Sequence, residues 1–181
     1  MEKNPADFDV RSADSPKNEA LNYALRVLSA SPKSRHQLKE KMLTKGFAES
    51  LTESVLGRLE AAGYINDQAL AEGLVHRMAS SRKGYGKRRA AFELKRRGFG
   101  PDTAERALEG LSPSQEEEAA LSLARLVWEK SAKLPEPKRK KKVFDTVMRR
   151  GYSFSLAKKT AETVSRDHEG GDSDDFSEEF E

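Results

Sequence analysis

Three times in this chain a helix-like run ends in polar residues, then a glycine, then an aromatic: Met42-Leu43-Thr44-Lys45-Gly46-Phe47, Leu94-Lys95-Arg96-Arg97-Gly98-Phe99 and Val147-Met148-Arg149-Arg150-Gly151-Tyr152. The three glycines are 52 and 53 residues apart. A glycine just past the last helical turn can take the left-handed conformation that closes a helix, and cations in that turn suit its partial negative charge. The aromatic that follows is then free to tuck back against the core. A spacing this regular leaves few folds open, because each copy must be one supersecondary unit of about 50 residues, and a unit that small seldom supports a core alone.

Helix-spaced apolar residues surround each of these punctuation marks. In the first copy Leu21, Leu25 and Leu28 follow Asn18 at helical spacing. Ser34 and Gln37 form a capping-box pattern ahead of Leu38, Met42 and Leu43, and Ser50 with Glu53 opens a third helix that Gly63 ends. The second copy starts at Asn66-Asp67, restarts after Gly84-Tyr85-Gly86, and restarts again at Pro101-Asp102. The third starts at Ser114 with Glu117, runs through Trp128, turns at Pro135 and Pro137, and finishes with Leu156, Ala161 and Val164. No segment alternates apolar and polar positions over a run of β-branched residues. The expectation is an all-α protein of three tandem three-helix repeats, 18–65, 66–112 and 113–168, stacked into an elongated, curved array between a flexible extension, 1–17, and a disordered acidic tail, 169–181.

Charge is distributed unevenly along this framework. The whole chain carries a formal net charge of +3, but residues 169–181 hold seven carboxylates and no base. Residues 1–17 add four acids against three bases, so the body from 18 to 168 carries 30 Lys and Arg against 19 Asp and Glu, a net of +11. A body of that sign attracts polyanions or an acidic protein face at long range. The chain has no cysteine, which removes thiol nucleophiles, disulfides and thiolate metal sites together. With no apolar run of membrane length and no apolar leader at the N-terminus, a cytoplasmic protein that does not enter a membrane is expected.

The order of several motifs carries a resemblance. Leu38-Lys39-Glu40-Lys41-Met42-Leu43 with Gly46-Phe47, Gly63-Tyr64-Ile65-Asn66-Asp67, Gly84-Tyr85-Gly86 with Glu93-Leu94 and Gly98-Phe99, and Arg149-Arg150-Gly151-Tyr152-Ser153 together resemble the RecX family over residues 18–165. The resemblance implies tandem three-helix repeats that bind the filament of the recombinase RecA, modulate its ATPase and strand exchange in recombination, repair and the SOS response, and contact single- and double-stranded DNA. The acidic tail and the run Lys138-Arg139-Lys140-Lys141-Lys142 fall outside the shared pattern.

The residues expected to make the RecA or DNA contact are Arg82, Lys83, Lys87, Arg88, Arg89, Arg96, Arg97, Arg149 and Arg150. In the central repeat, Gly84-Tyr85-Gly86 would let backbone amides approach a phosphate, the helix that follows would offer its own N-terminal amides, and the flanking cations would supply charge. The bland alternative is a solvated helix face whose glycines only turn the chain. Tyr85, lying between cations, is a base-stacking candidate, whereas Trp128 has the helical spacing of a core residue.

No enzyme is expected. His36, His76 and His168 are isolated, and Glu116-Glu117-Glu118 sits in a first helical turn, where carboxylates suit the dipole. No metal, cofactor or small-molecule substrate is foreseen, and the chain is taken as a monomer. The rival reading is a stand-alone, sequence-nonspecific DNA-binding protein with helix-turn-helix-like units. The bland role of the tail is solubility; the sharper readings are that it folds back on the basic body and competes with DNA, or that Phe176 and Phe180 dock on a partner.

Because the cations are spread over several helices, DNA binding should show weak sequence preference and steep salt dependence. Each phosphate neutralised should contribute about 0.9 to the log-log salt slope on duplex and about 0.7 on single strands. Equilibrium titrations across a salt series measure that slope, and a flat response would defeat the polyanion assignment.

Overall fold

The fold, taken from a computed structural model that describes residues 15–81 and 84–169, contains nine helices and no strand among those residues. In chain order they are α1 (Pro16–Ala30), α2 (Arg35–Lys45), α3 (Glu49–Ala61), α4 (Asp67–Ala79), α5 (Lys87–Arg96), α6 (Pro101–Glu109), α7 (Pro113–Glu129), α8 (Glu136–Arg149) and α9 (Phe154–Glu169). The all-α expectation of three tandem three-helix repeats is met. Residues 1–14 of the expected extension and 170–181 of the expected tail lie outside the described residues.

The repeated glycines do what their spacing foretold. Gly46, Gly98 and Gly151 have φ of 100°, 74° and 87°, the left-handed region in which a Cβ is penalised. The aromatics behind the second and third are buried, and Phe47 packs against the first core. Ser34 caps α2 in the expected reciprocal box with Gln37.

Three helix starts differ from the sequence reading. Helix α1 begins at Pro16, capped by Ser15, because proline at the first helical position has its φ already set. Helix α7 begins at Pro113 with Ser112 and Gln115 forming the box, for the same reason, and not at Ser114. Helix α3 begins at Glu49 without a side-chain cap, so Ser50 is interior. Glu53 is instead drawn to α2, where it pairs with Arg35 at 2.5 Å and Lys39 at 2.8 Å. Those two cations hold its carboxyl below the usual carboxylate range, Lys39 contributing most.

Two compact units divide the chain, with the boundary inside α4. One is the chain to Leu70 together with Arg97–Gly100; the other is Ala71–Arg96 with the chain from Pro101. In the first, α1, α2 and α3 enclose Leu38, Met42, Leu56 and Leu59, all fully buried. Each such side chain contributes roughly 1.5–3 kcal/mol by leaving water. The buried Ser34 hydroxyl donates to the Arg97 carbonyl at 2.7 Å, and the Asp67 carboxylate accepts from the Arg35 amide at 2.8 Å. Burial raises the Asp67 carboxyl above its ordinary value.

In the second unit α7, α8 and α9 close around Trp128, Val143, Val147, Tyr152 and Val164, with Ala120, Ala124, Ala157 and Ala161 keeping the helices close. Trp128 is a core residue, 1% exposed. The Arg139 guanidinium lies 4.1 Å from its ring and donates to its carbonyl at 3.1 Å. One member of the five-cation run is thus anchored on the core by its stem and its charge.

Tyr152 is fully buried, and its hydroxyl has no hydrogen-bond partner among the described residues. Burial pushes the phenol up to about 12 from 10.0. Its contribution to stability is therefore present below pH 10 and is lost as pH climbs from 10 to 12, because the unfolded chain releases the proton first. Tyr152→Phe should stabilise the fold at neutral pH by about 1 kcal/mol, the lower end of the cost of an unsatisfied buried polar group. The variant should also lose less stability than the parent over the alkaline range. Denaturant unfolding at stepped pH values measures both effects, and a variant clearly weaker than the parent at neutral pH would show that the hydroxyl is satisfied in solution.

Candidate functional site

The second unit brings together two stretches that are far apart in sequence. Gly86 donates its amide to the Arg150 carbonyl at 2.9 Å, and Arg88 donates to the Gly151 carbonyl at 3.1 Å. The start of α5 is thereby clasped, backbone to backbone, to the turn between α8 and α9. Neither glycine can be replaced without moving the other side. A Cβ on Gly86 would lie 2.6 Å from the Gly151 oxygen, and one on Gly151 would lie 2.4 Å from the Arg89 nitrogen.

This clasp corrects the phosphate-cradle reading of Gly84-Tyr85-Gly86. The amides expected to face a ligand are already occupied, since Lys87 donates to a Glu116 carboxylate oxygen at 3.0 Å and its neighbours Gly86 and Arg88 bond the α8–α9 turn. The glycines serve close approach of two backbones. Any anion must be held by side chains.

Those side chains gather around the clasp. Arg150 places its guanidinium 5.1 Å from the Tyr85 ring, so the tyrosine singled out for stacking already has a cation over one face. Arg88 is exposed and makes no ion pair among the described residues. Arg89 is exposed but paired with Glu93 at 3.0 Å, and the same carboxylate takes Arg96 at 2.7 Å. Arg149 is exposed and donates to the Thr146 hydroxyl at 3.2 Å. The side chain of Lys87 is half-buried. Arg97 belongs to the first unit, where its carbonyl receives the Ser34 hydroxyl. Arg82 and Lys83 lie outside the described residues.

Two aromatics near the clasp were not singled out from the sequence. Phe92 is 56% exposed, with the Arg89 guanidinium 5.3 Å from its ring, and Phe154 is 62% exposed at the first turn of α9, against Phe144. Aromatic residues, phenylalanine included, and arginines are enriched at protein interfaces relative to the rest of the surface. The signal for Phe92 was available: at 100° per residue it sits 200° from both Ala90 and Leu94, the two buried positions of α5, and so faces solvent.

Electrostatically the junction is cationic but tempered. Glu93, with its side chain only 14% exposed, offsets part of Arg89 and Arg96. The run Lys138–Lys142 is followed at later turns by Arg149, Arg150, Lys158 and Lys159, and of these Lys159 is likewise paired, with Glu117, while Lys158 is exposed. Among the described residues no three His, Asp or Glu side chains gather as a metal ion would require. No helix there is long and apolar enough to cross a membrane.

Family models for the first, second and third three-helix domains of RecX match residues 20–59, 66–108 and 115–160. A protein named regulatory protein RecX from Thermobifida fusca is 35% identical over 138 residues, covering 76% of this chain and 74% of the relative. The protein of the same name from Chlorobium limicola is 37% identical over 151 residues, 82% of this chain and 91% of the relative. In fold, the chain is similar to the crystal structure of RecX from Lactobacillus salivarius, with a TM-score of 0.75, 19% identity and coverage of 83% and 97% of the two chains. A second crystal structure, of a regulatory protein RecX, has a TM-score of 0.70 at 22% identity over 81% of this chain and 71% of that one. Matched in all three of its three-helix domains, and more than 30% identical to relatives over most of their length, the chain belongs to the RecX family.

Proposed function

We propose that this protein regulates RecA by binding the RecA-DNA filament through the junction of α5 with the α8–α9 turn, and that it restrains the filament's ATPase and strand exchange. The family supports the regulatory role: its curated relatives are named regulatory proteins, not enzymes. The observation that carries the site is the clasp of Gly86 and Arg88 to Arg150 and Gly151, which sets cations from two repeats and the exposed Phe92 and Phe154 in one neighbourhood.

The chemistry of that neighbourhood suits a composite target. Arginines without a carboxylate partner, Arg88 first among them, are free to meet phosphates or acidic side chains, and they contact a sugar-phosphate backbone without reading sequence. The aromatics suit a protein surface, where they bury area at small entropic cost. A filament of protein on DNA presents both. The Glu93 pairing lowers the local charge, which favours a partner that brings apolar contact as well as anions over bare nucleic acid.

The deciding measurement is RecA-dependent ATP hydrolysis on single-stranded DNA with this protein titrated in. Charge reversal at Arg88 and Arg149 together should weaken inhibition at least about tenfold, or roughly 1.4 kcal/mol of binding. Both side chains are exposed, but Arg149 sits in the last turn of α8, so the pair should cost no more than about 1 kcal/mol of stability, which denaturant unfolding checks. Reversal at Arg58, exposed on α3, is the control for net charge. Equal loss in both variants would make charge alone responsible. Equal retention would reduce the junction to a solvated face. Binding of DNA with none to RecA would favour the stand-alone DNA-binding reading.

A further inference from the structure

A second cationic surface lies at the other end of α8. The end of α7, the turn that follows it, the start of α8 and the end of α9 meet there. Ser165 on α9 donates to the Glu136 carboxylate at 2.6 Å, and the His168 ring stands 5.6 Å from Trp128, which also carries Arg139. Lys138, Lys140, Lys141 and Lys142 are exposed on the first turns of α8, as are Lys130 and Lys133 just before it. None of these six has an ion-pair partner among the described residues. Arg139 alone is turned inward.

This corner is electrostatically unsatisfied. Cations at a helix start oppose the dipole, and four lysines within five positions repel one another. Charge of that kind calls for an anion. The chain carries one of suitable sign directly after the last described helix, since residues 170–181 contain Asp172, Asp174, Asp175, Glu178, Glu179 and Glu181 and no base.

We propose that the acidic segment 170–181 seats on the lysine corner formed by the end of α7 and the start of α8. Tether geometry supports this seat over the α5 junction. Helix α9 delivers the segment beside Glu136, from which Lys142 lies about 9 Å along α8, whereas Arg150 lies about 21 Å along it. The segment's first carboxylates, Asp172, Asp174 and Asp175, follow closely on Glu169, and a flexible chain of three to six residues has a root-mean-square span of about 10–13 Å, which matches the lysines and falls short of Arg150. Seated there, the segment neutralises the corner and leaves the junction uncovered. A polyanion that uses the corner must first displace it, while contact at the junction proceeds without competition.

The absence of cysteine makes the test direct, because Ser177→Cys gives the full chain a single thiol for a nitroxide. Paramagnetic broadening of backbone amides then reports where the segment spends its time. At about 0.01 M ionic strength, where the Debye length is about 30 Å, amides of residues 130–142 and 165–168 should lose roughly half their intensity or more, and at 1 M, where it is about 3 Å, they should recover. Amides of 84–89 and 149–152 should be spared. Lys140→Glu with Lys141→Glu should remove the broadening while far-ultraviolet circular dichroism stays unchanged. If helicity falls, Lys140→Gln with Lys141→Gln is read in its place and should at least weaken the broadening. Broadening centred on the junction, spread evenly over the chain, absent at low salt, or indifferent to both lysine pairs overturns the proposal. So does broadening that appears only when labelled chains are mixed with isotope-enriched unlabelled ones, because the segment would then sit on a second copy.

Discussion

Everything that positions the candidate surface depends on two backbone hydrogen bonds, Gly86 to Arg150 and Arg88 to Gly151, and on the missing side chains that let them form. Helix ends leave amides unsatisfied, and a buried amide without a partner is costly. At the start of α5 the debt is settled by a carbonyl pair from another repeat and by Glu116. The arginines on either side of the clasp are held in register by main chain, which has fewer ways to move than side chains do. Tyr85 and Arg150 add a stacked pair across the same seam.

The periodic features of the fold were legible in the residues, and the ones that depend on distant partners were not. Glycine with a following aromatic, 52 and 53 residues apart, announced three helix ends, and the left-handed φ at Gly46, Gly98 and Gly151 is the physical content of that pattern. Starts were read less well. Ser50 and Glu53 have the form of a capping box, but Glu53 meets Arg35 and Lys39, a tertiary pairing that local pattern does not encode. At Ser112 the neighbouring Pro113 outweighed the Ser114 pattern because its φ is fixed in advance.

The candidate site was half legible. Density of cations marked α5 and the end of α8 separately, yet nothing local said that they meet. The glycines of Gly84-Tyr85-Gly86 were visible, but their use was misjudged: the same absence of Cβ serves a phosphate or another backbone, and only the position of Gly151 distinguishes the two. Charge counting also overstated the patch, since Glu93 sits within it and engages two of its arginines. In the five-cation run, Arg139 is a packing residue on Trp128, and its neighbours are what a solvent-borne anion can reach.

The clasp also orders events in time. Helices α7, α8 and α9 build a core from residues near one another in sequence, so their closure carries a small loop-entropy cost and is expected early in folding. The Gly86–Gly151 contact spans about 65 positions and can form only after the α8–α9 turn exists to receive it. The candidate surface is therefore expected to assemble after the α7–α9 core, and to open before those helices are lost when stability is reduced locally.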